Sequence, residues 1–362
     1  MMWPNRITIN TIEYNREELA KVCHSKIHDL HCEEWERKIY AFLDELNNDS
    51  STVEVHSSGS TGSPKAFTVL KSQMISSAQM TGKYFQLSSG KTALLCLPVD
   101  YIAGKMMIVR AWVLGLNLIT IKPGSDPLAC INLIDFAALV PLQLQTLVDV
   151  YGKAGMERFQ TIIVGGSDIN PVLISKVQFV STEVVATYGM TETLSHVALR
   201  HLNGNKVSEY YQTLDGVSID LDERECLVVY APHVNPNRLI TNDIVKIHEQ
   251  DKFTWLGRCD NVINSGGIKV IPEQLESKLK ELFLDNRFFI SSIPHNILGQ
   301  QIILVIESVK PDADQLVTLK SSIKKLLNRY EIPKYIYFVR AFQETFSGKI
   351  QRQLYNATIE NF

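Results

Sequence analysis

The sequence predicts an α/β protein in three successive parts: a large sheet covered by helices, a β-rich module, and a small α+β unit at the C-terminus. Between residues 72 and 187, short β-like runs alternate with helical segments, the pattern of a sheet with helices on both faces. From about Ser218 the β runs follow one another closely with polar turns between them, as in an antiparallel or distorted-barrel module. Beyond a boundary near residues 257–261, two helical patterns interleave with three strand candidates. With 362 residues and roughly 150 per domain, the chain has room for two domains, each with its own core. We expect these to be residues 1–257 and 258–362.

Residues 16–46 form one long helical pattern, with Leu19, Cys23, Ile27, Leu30, Trp35, Ile39 and Leu43 on its apolar side. Within it His24, His28 and His31 stand at i, i+4 and i+7 beside Cys32. That spacing could hold a zinc ion on one helix face, but it reads first as the polar rim of a surface helix, since a metal site also needs supporting groups. The covered sheet is expected from strands at 92–97, 118–121, 136–140, 161–164 and 183–187, with helices at 72–85 and 141–151. Residues 106–121 are the most apolar stretch, interrupted by Arg110 and Asn117 and shorter than the roughly 20 residues of a membrane span. They read as a core helix running into a buried strand. The β-rich module takes residues 226–230, 243–248 and 253–256, and the last unit helices at 272–284 and 313–330 with strands at 288–292, 302–307 and 335–339.

Lys plus Arg is 36 and Asp plus Glu is 39, a net charge of −3, so nothing general attracts nucleic acid or an anionic membrane. Hydrophobic residues at 45% and charged residues at 21% exclude a disordered chain. The six cysteines are scattered without a CxxC pair, as expected of buried thiols in a reducing compartment. The N-terminus lacks a basic region followed by an apolar one, so a cytoplasmic location is expected. A homo-oligomer is compatible with this composition.

The most informative segment is His56-Ser-Ser-Gly-Ser-Thr-Gly-Ser-Pro-Lys65, lying between two β-like runs. Glycines let a backbone approach a ligand, hydroxyls and amides donate hydrogen bonds, and Lys65 adds a positive charge, which together suit a polyphosphate. The spacing to Lys65 and the strand that follows rule out a Walker A loop; a flexible polar linker is the bland alternative. Elsewhere Tyr188 offers a ring to stack on a purine, Glu192 a hard oxygen ligand for magnesium, Asp243 an acceptor for ribose hydroxyls, and Arg258 a permanent forked cation. Taken singly, each has an ordinary structural reading: core, helix-terminal acid, or solvated charge.

Taken in order, these motifs resemble the adenylate-forming superfamily of acyl-CoA synthetases, nonribosomal adenylation domains and luciferases. Ser57, Ser58, Gly59, Ser60, Thr61, Gly62 and Lys65 match its phosphate loop, and Gly165-Gly166-Ser167 is similar to its adenine-pocket loop. Tyr188-Gly189-Met-Thr191-Glu192-Thr matches its adenine and magnesium motif, and Leu239-Ile-Thr-Asn-Asp243 stands in place of its ribose motif. The run from Gly257-Arg258-Cys-Asp260 through Gly266-Gly267 to Glu276 resembles its hinge and thiolation motif. Ser347-Gly348-Lys349-Ile-Gln-Arg352 resembles its ending with the catalytic lysine. The resemblance implies the adenylate-forming fold, its N-terminal domain shortened, with a small mobile C-terminal domain turning about Asp260. It implies ATP, Mg2+ and coenzyme A, a carboxylate activated as acyl-adenylate, and catalytic roles for Lys349, Thr191 and Glu192, with Glu192 also holding the metal. The Gly266-Gly267 loop would border the thiol tunnel, where a side chain would obstruct the pantetheine arm.

The short chain before the phosphate loop and the run from Tyr188 through Ser195-His196-Val resemble, within that superfamily, the o-succinylbenzoate-CoA ligases of menaquinone biosynthesis. Such a substrate has a second carboxylate, so its pocket should pair apolar walls with a cation. Residues 97–110 offer Met106 and Met107 as walls and Lys105 or Arg110 as anchor; Ser195 and His196 are further candidates, while Lys105 and Arg110 read equally as helix-surface charges. Tyr101 replaces a histidine that gates the acyl pocket in many relatives. Asn242 replaces a glycine, Ser167 an alanine and Asn261 an aspartate. The missing N-terminal lobe implies that part of the coenzyme A surface is lost or rebuilt by a partner subunit. Alternatives are another aryl- or acyl-CoA ligase, an adenylation enzyme loading a carrier protein, and a non-catalytic nucleotide-binding protein, against which the joint retention of Lys65, Glu192, Asp243, Arg258 and Lys349 argues.

Overall fold

A computed structural model describes residues 3–56, 66–128, 133–284, 286–343, 350–352 and 355. The chain opens with a hairpin, β1 (Arg6–Ile9) and β2 (Ile12–Asn15), turned through Asn10 and Thr11 at φ 49° and 70°. Two helices follow, α1 (Arg16–His28) and α2 (Glu34–Asn47). Asn15 caps α1 by accepting from the amides of Glu17 and Glu18, while Glu18 returns a bond to Asn15 N, a complete capping box.

The single helix expected over residues 16–46 is therefore two. Asp29 breaks it: its carboxylate accepts from His31 N at 2.8 Å and its carbonyl from Cys32 N at 3.2 Å, a local turn that competes with helix. Leu30, expected on the apolar face, is 93% exposed at this turn. The break also removes the zinc candidate, because His31 and Cys32 lie beyond the end of α1, and His28 Nδ1 instead bonds His24 O at 2.8 Å.

A hairpin of β3 (Thr52–His56) and β4 (Ala66–Leu70) pairs in register from Thr52↔Leu70 to His56↔Ala66. After α3 (Lys71–Phe85) come β5 (Thr92–Leu95), α4 (Ile102–Leu114), β6 (Asn117–Thr120), β7 (Ile134–Leu139), α5 (Pro141–Thr146), α6 (Gly152–Met156), β8 (Phe159–Val164), α7 (Pro171–Lys176) and β9 (Glu183–Gly189). Strands β6, β5, β7, β8 and β9 are parallel, and β1 joins parallel to β6. Residues 161–164 of β8 are buried without alternation, as in a parallel strand covered on both faces. Helix α4 is enclosed by the core: Met106 to Ala111 and Trp112 expose 1% or less. It stops at Gly115, whose φ of 68° is the left-handed cap glycine accepts readily.

The β-rich segment does not form a separate barrel. Strands β10 (His196–His201), β11 (Tyr211–Thr213), β12 (Ser218–Leu221), β13 (Cys226–Ala231), β14 (Asn235–Glu249) and β15 (Lys252–Arg258) extend the same sheet antiparallel from β9. One 13-stranded sheet results. A second sheet then begins: β16 (Ile263–Ser265), β17 (Ile268–Val270), β18 (Phe288–His295), β19 (Gly299–Glu307) and β20 (Tyr335–Val339), with α8 (Pro272–Leu279) and α9 (Ala313–Leu326). No described helix is long and apolar enough to cross a membrane.

Candidate active site

The parallel strands and their antiparallel extension meet at β9, and the first group of expected residues gathers there. The Tyr188 hydroxyl donates to Asp243 Oδ2 at 2.7 Å. Arg258 Nη1 reaches Asp243 Oδ1 at 3.4 Å, and Trp255 Nε1 donates to the same oxygen at 3.1 Å. A carboxylate has about four acceptor positions, so three donors leave one for a ligand hydroxyl. Burial, then the Asp243 charge, pushes the Tyr188 phenol well above its ordinary value, so it remains a donor. Its ring meets Phe253 edge-on, centroids 5.1 Å apart.

Trp255 escaped sequence reasoning, and the cause is a bulge. Asp243 pairs with Arg258, Ile244 with Gly257, and Val245 with Trp255, so the β14–β15 register skips residue 256. Regular alternation would send residues 255 and 258 to opposite faces; the extra residue lets both reach one carboxylate. Beyond Asp243, Arg258 Nη2 bonds Asp260 Oδ2 at 2.7 Å and Asn242 Nδ2 bonds Asp260 Oδ1 at 3.0 Å. Burial opposes the Arg258 charge, but Asp260 and Asp243 outweigh it and raise its pKa.

The turn after β8 lies against β9. A Cβ on Gly165 would stand 2.4 Å from Thr187 Oγ1, next to Tyr188, while Gly166 has φ +97° and Ser167 is exposed. Gly189 approaches β10 so closely that a Cβ would fall 2.3 Å from Ser195 O. Thr191 is buried in a short 3-10 turn and Glu192 is exposed there, its carbonyl accepting from Asn235 Nδ2 at 3.0 Å. Among the described residues no three His, Cys, Asp or Glu side chains converge on a metal position. A lone carboxylate suits magnesium that brings phosphate oxygens as its other ligands.

A second group lies between α3, α4 and β10. Arg110 is 1% exposed; its Nε donates to Thr81 Oγ1 at 3.2 Å, its Nη2 donates to Ser195 Oγ, and its Nη1 meets Met107 Sδ at 3.5 Å. Among the described residues no carboxylate pairs with it, and burial alone brings its pKa down to about 10, so it is charged at neutral pH. His196 Nδ1 lies 3.3 Å from Ser195 Oγ and Nε2 lies 3.2 Å from Thr81 Oγ1. Burial, then the Arg110 charge, holds its pKa well below the usual histidine value.

Lys105 does not join this group. Five residues before Arg110, it points from another face of α4, where Nζ bonds Glu54 O at 3.0 Å and sits 4.5 Å from the Phe42 ring centroid. Met106 and Met107, expected as pocket walls, are fully buried core. Tyr101 occupies the position just before the first turn of α4, without a side-chain capping bond, about two and a half turns from Arg110.

Gly266 and Gly267, at φ +59° and +82°, make the two-residue connection of the β16–β17 hairpin. Two positive-φ residues are what a type I′ turn requires, so turn geometry is itself a reason for this glycine pair. Ser57, Ser58, Gly59, Ser60, Thr61, Gly62, Lys65 and Lys349 lie outside the described residues; β3 and β4 flank the loop. Arg352, in the same motif as Lys349, bonds Glu276 on α8 through Nη1 at 2.8 Å and Nη2 at 2.9 Å.

The sequence signature of the family described as AMP-binding enzyme matches residues 13–226. The chain is 24% identical over 330 residues to a probable 2-succinylbenzoate–CoA ligase of Mycobacterium tuberculosis, covering 84% of each chain. A crystal structure of an acyl-CoA synthetase (AMP-forming)/AMP-acid ligase II-like protein from Dyadobacter fermentans is 37% identical. That match has a TM-score of 0.61 and covers 94% of this chain and 98% of that one. The o-succinylbenzoate coenzyme A synthetase of Bacillus subtilis, solved with ATP and magnesium, shares the fold with TM-score 0.71 at 20% identity, over 83% of this chain and 68% of that one.

Proposed function

The chain belongs to the AMP-binding enzyme family, and from that premise we propose that it is an AMP-forming acid–CoA ligase whose substrate is o-succinylbenzoate. The observation that carries the substrate is Arg110: a charged guanidinium buried beside the Ser195 hydroxyl with no carboxylate partner among the described residues. Burying a cation this way is costly unless an anion arrives to meet it, and a substrate with two carboxylates supplies one while the other reacts. The 2-succinylbenzoate–CoA ligases among the relatives support the same choice.

In the first half-reaction a carboxylate oxygen bonds to the α-phosphorus of ATP, the bond to the β-phosphate oxygen breaks, and pyrophosphate leaves. In the second, the thiol of coenzyme A attacks the acyl carbon and AMP leaves, with the thiol proton lost to solvent. Asp243, held by Tyr188, Trp255 and Arg258, receives a ribose hydroxyl at its remaining acceptor position. Gly165, Gly166, Ser167 and Gly189 form the adenine side, and residues 57–65 hold the phosphates. Glu192 would hold magnesium, which would neutralise charge on the phosphates. Lys349 approaches the reacting anions and stabilises charge developing at the α-phosphate. The C-terminal unit, 258–362, turns about Asp260 between the two half-reactions, and the reaction proceeds in the cytoplasm.

Purified protein is incubated with MgATP, coenzyme A and o-succinylbenzoate, with benzoate and a fatty acid alongside, and AMP and thioester are followed by mass spectrometry. Selective formation of o-succinylbenzoyl-CoA is expected; equal or better use of a monocarboxylate rejects the proposed substrate.

A further inference from the structure

Thr81 of α3, Arg110 of α4, and Ser195 with His196 at the start of β10 close a hydrogen-bonded ring. A proton count shows that this ring has two states. Arg110 only donates, so Thr81 Oγ1 and Ser195 Oγ each accept from it. In one state Thr81 sends its single proton to Ser77 O, 3.2 Å away. His196 must then donate from Nε2 to Thr81, and the bare Nδ1 accepts the Ser195 proton. In the other state both histidine bonds reverse: Thr81 donates to Nε2, Nδ1–H donates to Ser195 Oγ, and the Ser195 proton is released to an acceptor outside the ring. Ser77 O, a carbonyl inside α3, keeps its helical partner throughout.

Exposure singles out the outlet. Thr81, Arg110 and His196 are buried at 1%, 1% and 6%, whereas Ser195 is half-buried. We propose that His196 is a positioning residue whose tautomer sets the direction of the Ser195 hydroxyl: Nε2–H in the free protein turns it inward, and Nδ1–H in the complex frees it as a second donor, beside Arg110, for the carboxylate that is not activated. This rests on the dicarboxylate substrate proposed above. Both states carry the same three protons on Thr81, His196 and Ser195, so no net proton is taken up; the hydroxyls rotate and the ring proton exchanges through water. Protonation is not the switch, because the doubly protonated ring would face Arg110 in a buried site.

Protein labelled with 15N at histidine tests this directly, with the His196 resonances identified by their loss in His196→Asn. The free protein should show Nε2–H and the o-succinylbenzoate complex Nδ1–H. In kinetics, Ser195→Ala should raise KM for o-succinylbenzoate about tenfold, as expected of a lost bond to a charged group, and His196→Leu, which keeps the hydroxyl but loses the ring that directs it, should raise KM by less, each with a much smaller change in kcat. The double variant should be no worse than Ser195→Ala alone, because His196 acts only through the Ser195 hydroxyl. His196→Asn, which can still present an N–H to Ser195, should recover much of the loss and guards against a misfolded Leu variant. Turnover of o-succinylbenzoate with an unchanged tautomer, or additive losses in the double variant, overturns the relay and leaves the proposed function standing. Absence of any turnover of o-succinylbenzoate overturns the substrate and the relay with it.

Discussion

Arg110 carries two opposed contributions to the energetics of the chain. Burial disfavours its charge, so removing it relieves a desolvation cost, while a bound carboxylate loses its partner. Arg110→Met should therefore unfold at a temperature no lower than the parent, yet raise KM for o-succinylbenzoate by roughly 30-fold or more, the equivalent of about 2 kcal/mol for a buried charge pair. A calorimetric scan with steady-state kinetics checks both signs; a marked fall in Tm without a change in KM would make Arg110 purely structural. His196 has a lowered folded pKa, so its contribution to stability is present above the unfolded value near 6.5 and is lost as pH falls from there toward the folded value. His201, also lowered, adds to the same slope. In urea titrations between pH 7.5 and about 5.5, one unit either side of the ordinary value, His196→Leu should be less pH-dependent by up to about 1.4 kcal/mol per unit. Identical slopes would mean that His196 is not buried neutral. Both residues were candidates from the sequence alone, whereas Thr81, which completes their ring, carried no signal there: a threonine inside a helix looks like any other.

Elements were legible where one face or one run dominates. β20 was expected with the bounds it has, because a short apolar and aromatic run between polar turns has no competing helical period. The 16–46 pattern misled because its apolar period continues across the break, and the Asp29 side-chain bond that helps end α1 leaves no mark on periodicity. The β16–β17 hairpin separates two reasons for glycine. Asn-Gly is a favoured pair for a type I′ turn, so Gly266→Asn should fold with Tm within a few degrees of the parent. If the loop also borders the path of the pantetheine arm, thioester formation from a supplied acyl-adenylate should fall about 10²-fold, the scale of a misplaced reactant. An unchanged thioester rate would leave the turn as the sole reason for glycine there.

Among the described residues, burial divides into three clusters, one around the large sheet and one on each face of the small sheet. One runs from Ile7 to Phe253 around the large sheet; another, from Ile263 to Leu327, lies on one face of the small sheet, with Phe289, Ile303, Val305 and Phe342 on its other face. Among the described residues, the ion pairs Lys280–Asp168 at 2.8 Å and Lys269–Glu225 at 3.5 Å join residues beyond 261 to residues before 257, are partly or largely exposed, and are of the kind that contributes little. We infer two units divided at residues 257/258. Native-state hydrogen exchange should give β18 and β19 one opening free energy and β5, β7 and β8 a different one; a single shared value would reject the division.

By itself the sequence determined the α/β class, the order of motifs along the chain and the kinds of side chain the chemistry needs, because these depend on local periodicity and on residue type. Only the tertiary structure decided that the β-rich segment continues the first sheet, that a bulge brings Trp255 and Arg258 to Asp243, and that Arg110 rather than Lys105 meets Ser195 and His196. Each of those outcomes depends on register, helical phase and burial between segments far apart in the chain. Periodicity within a segment describes which of its faces is apolar, and it is blind to what that face will meet.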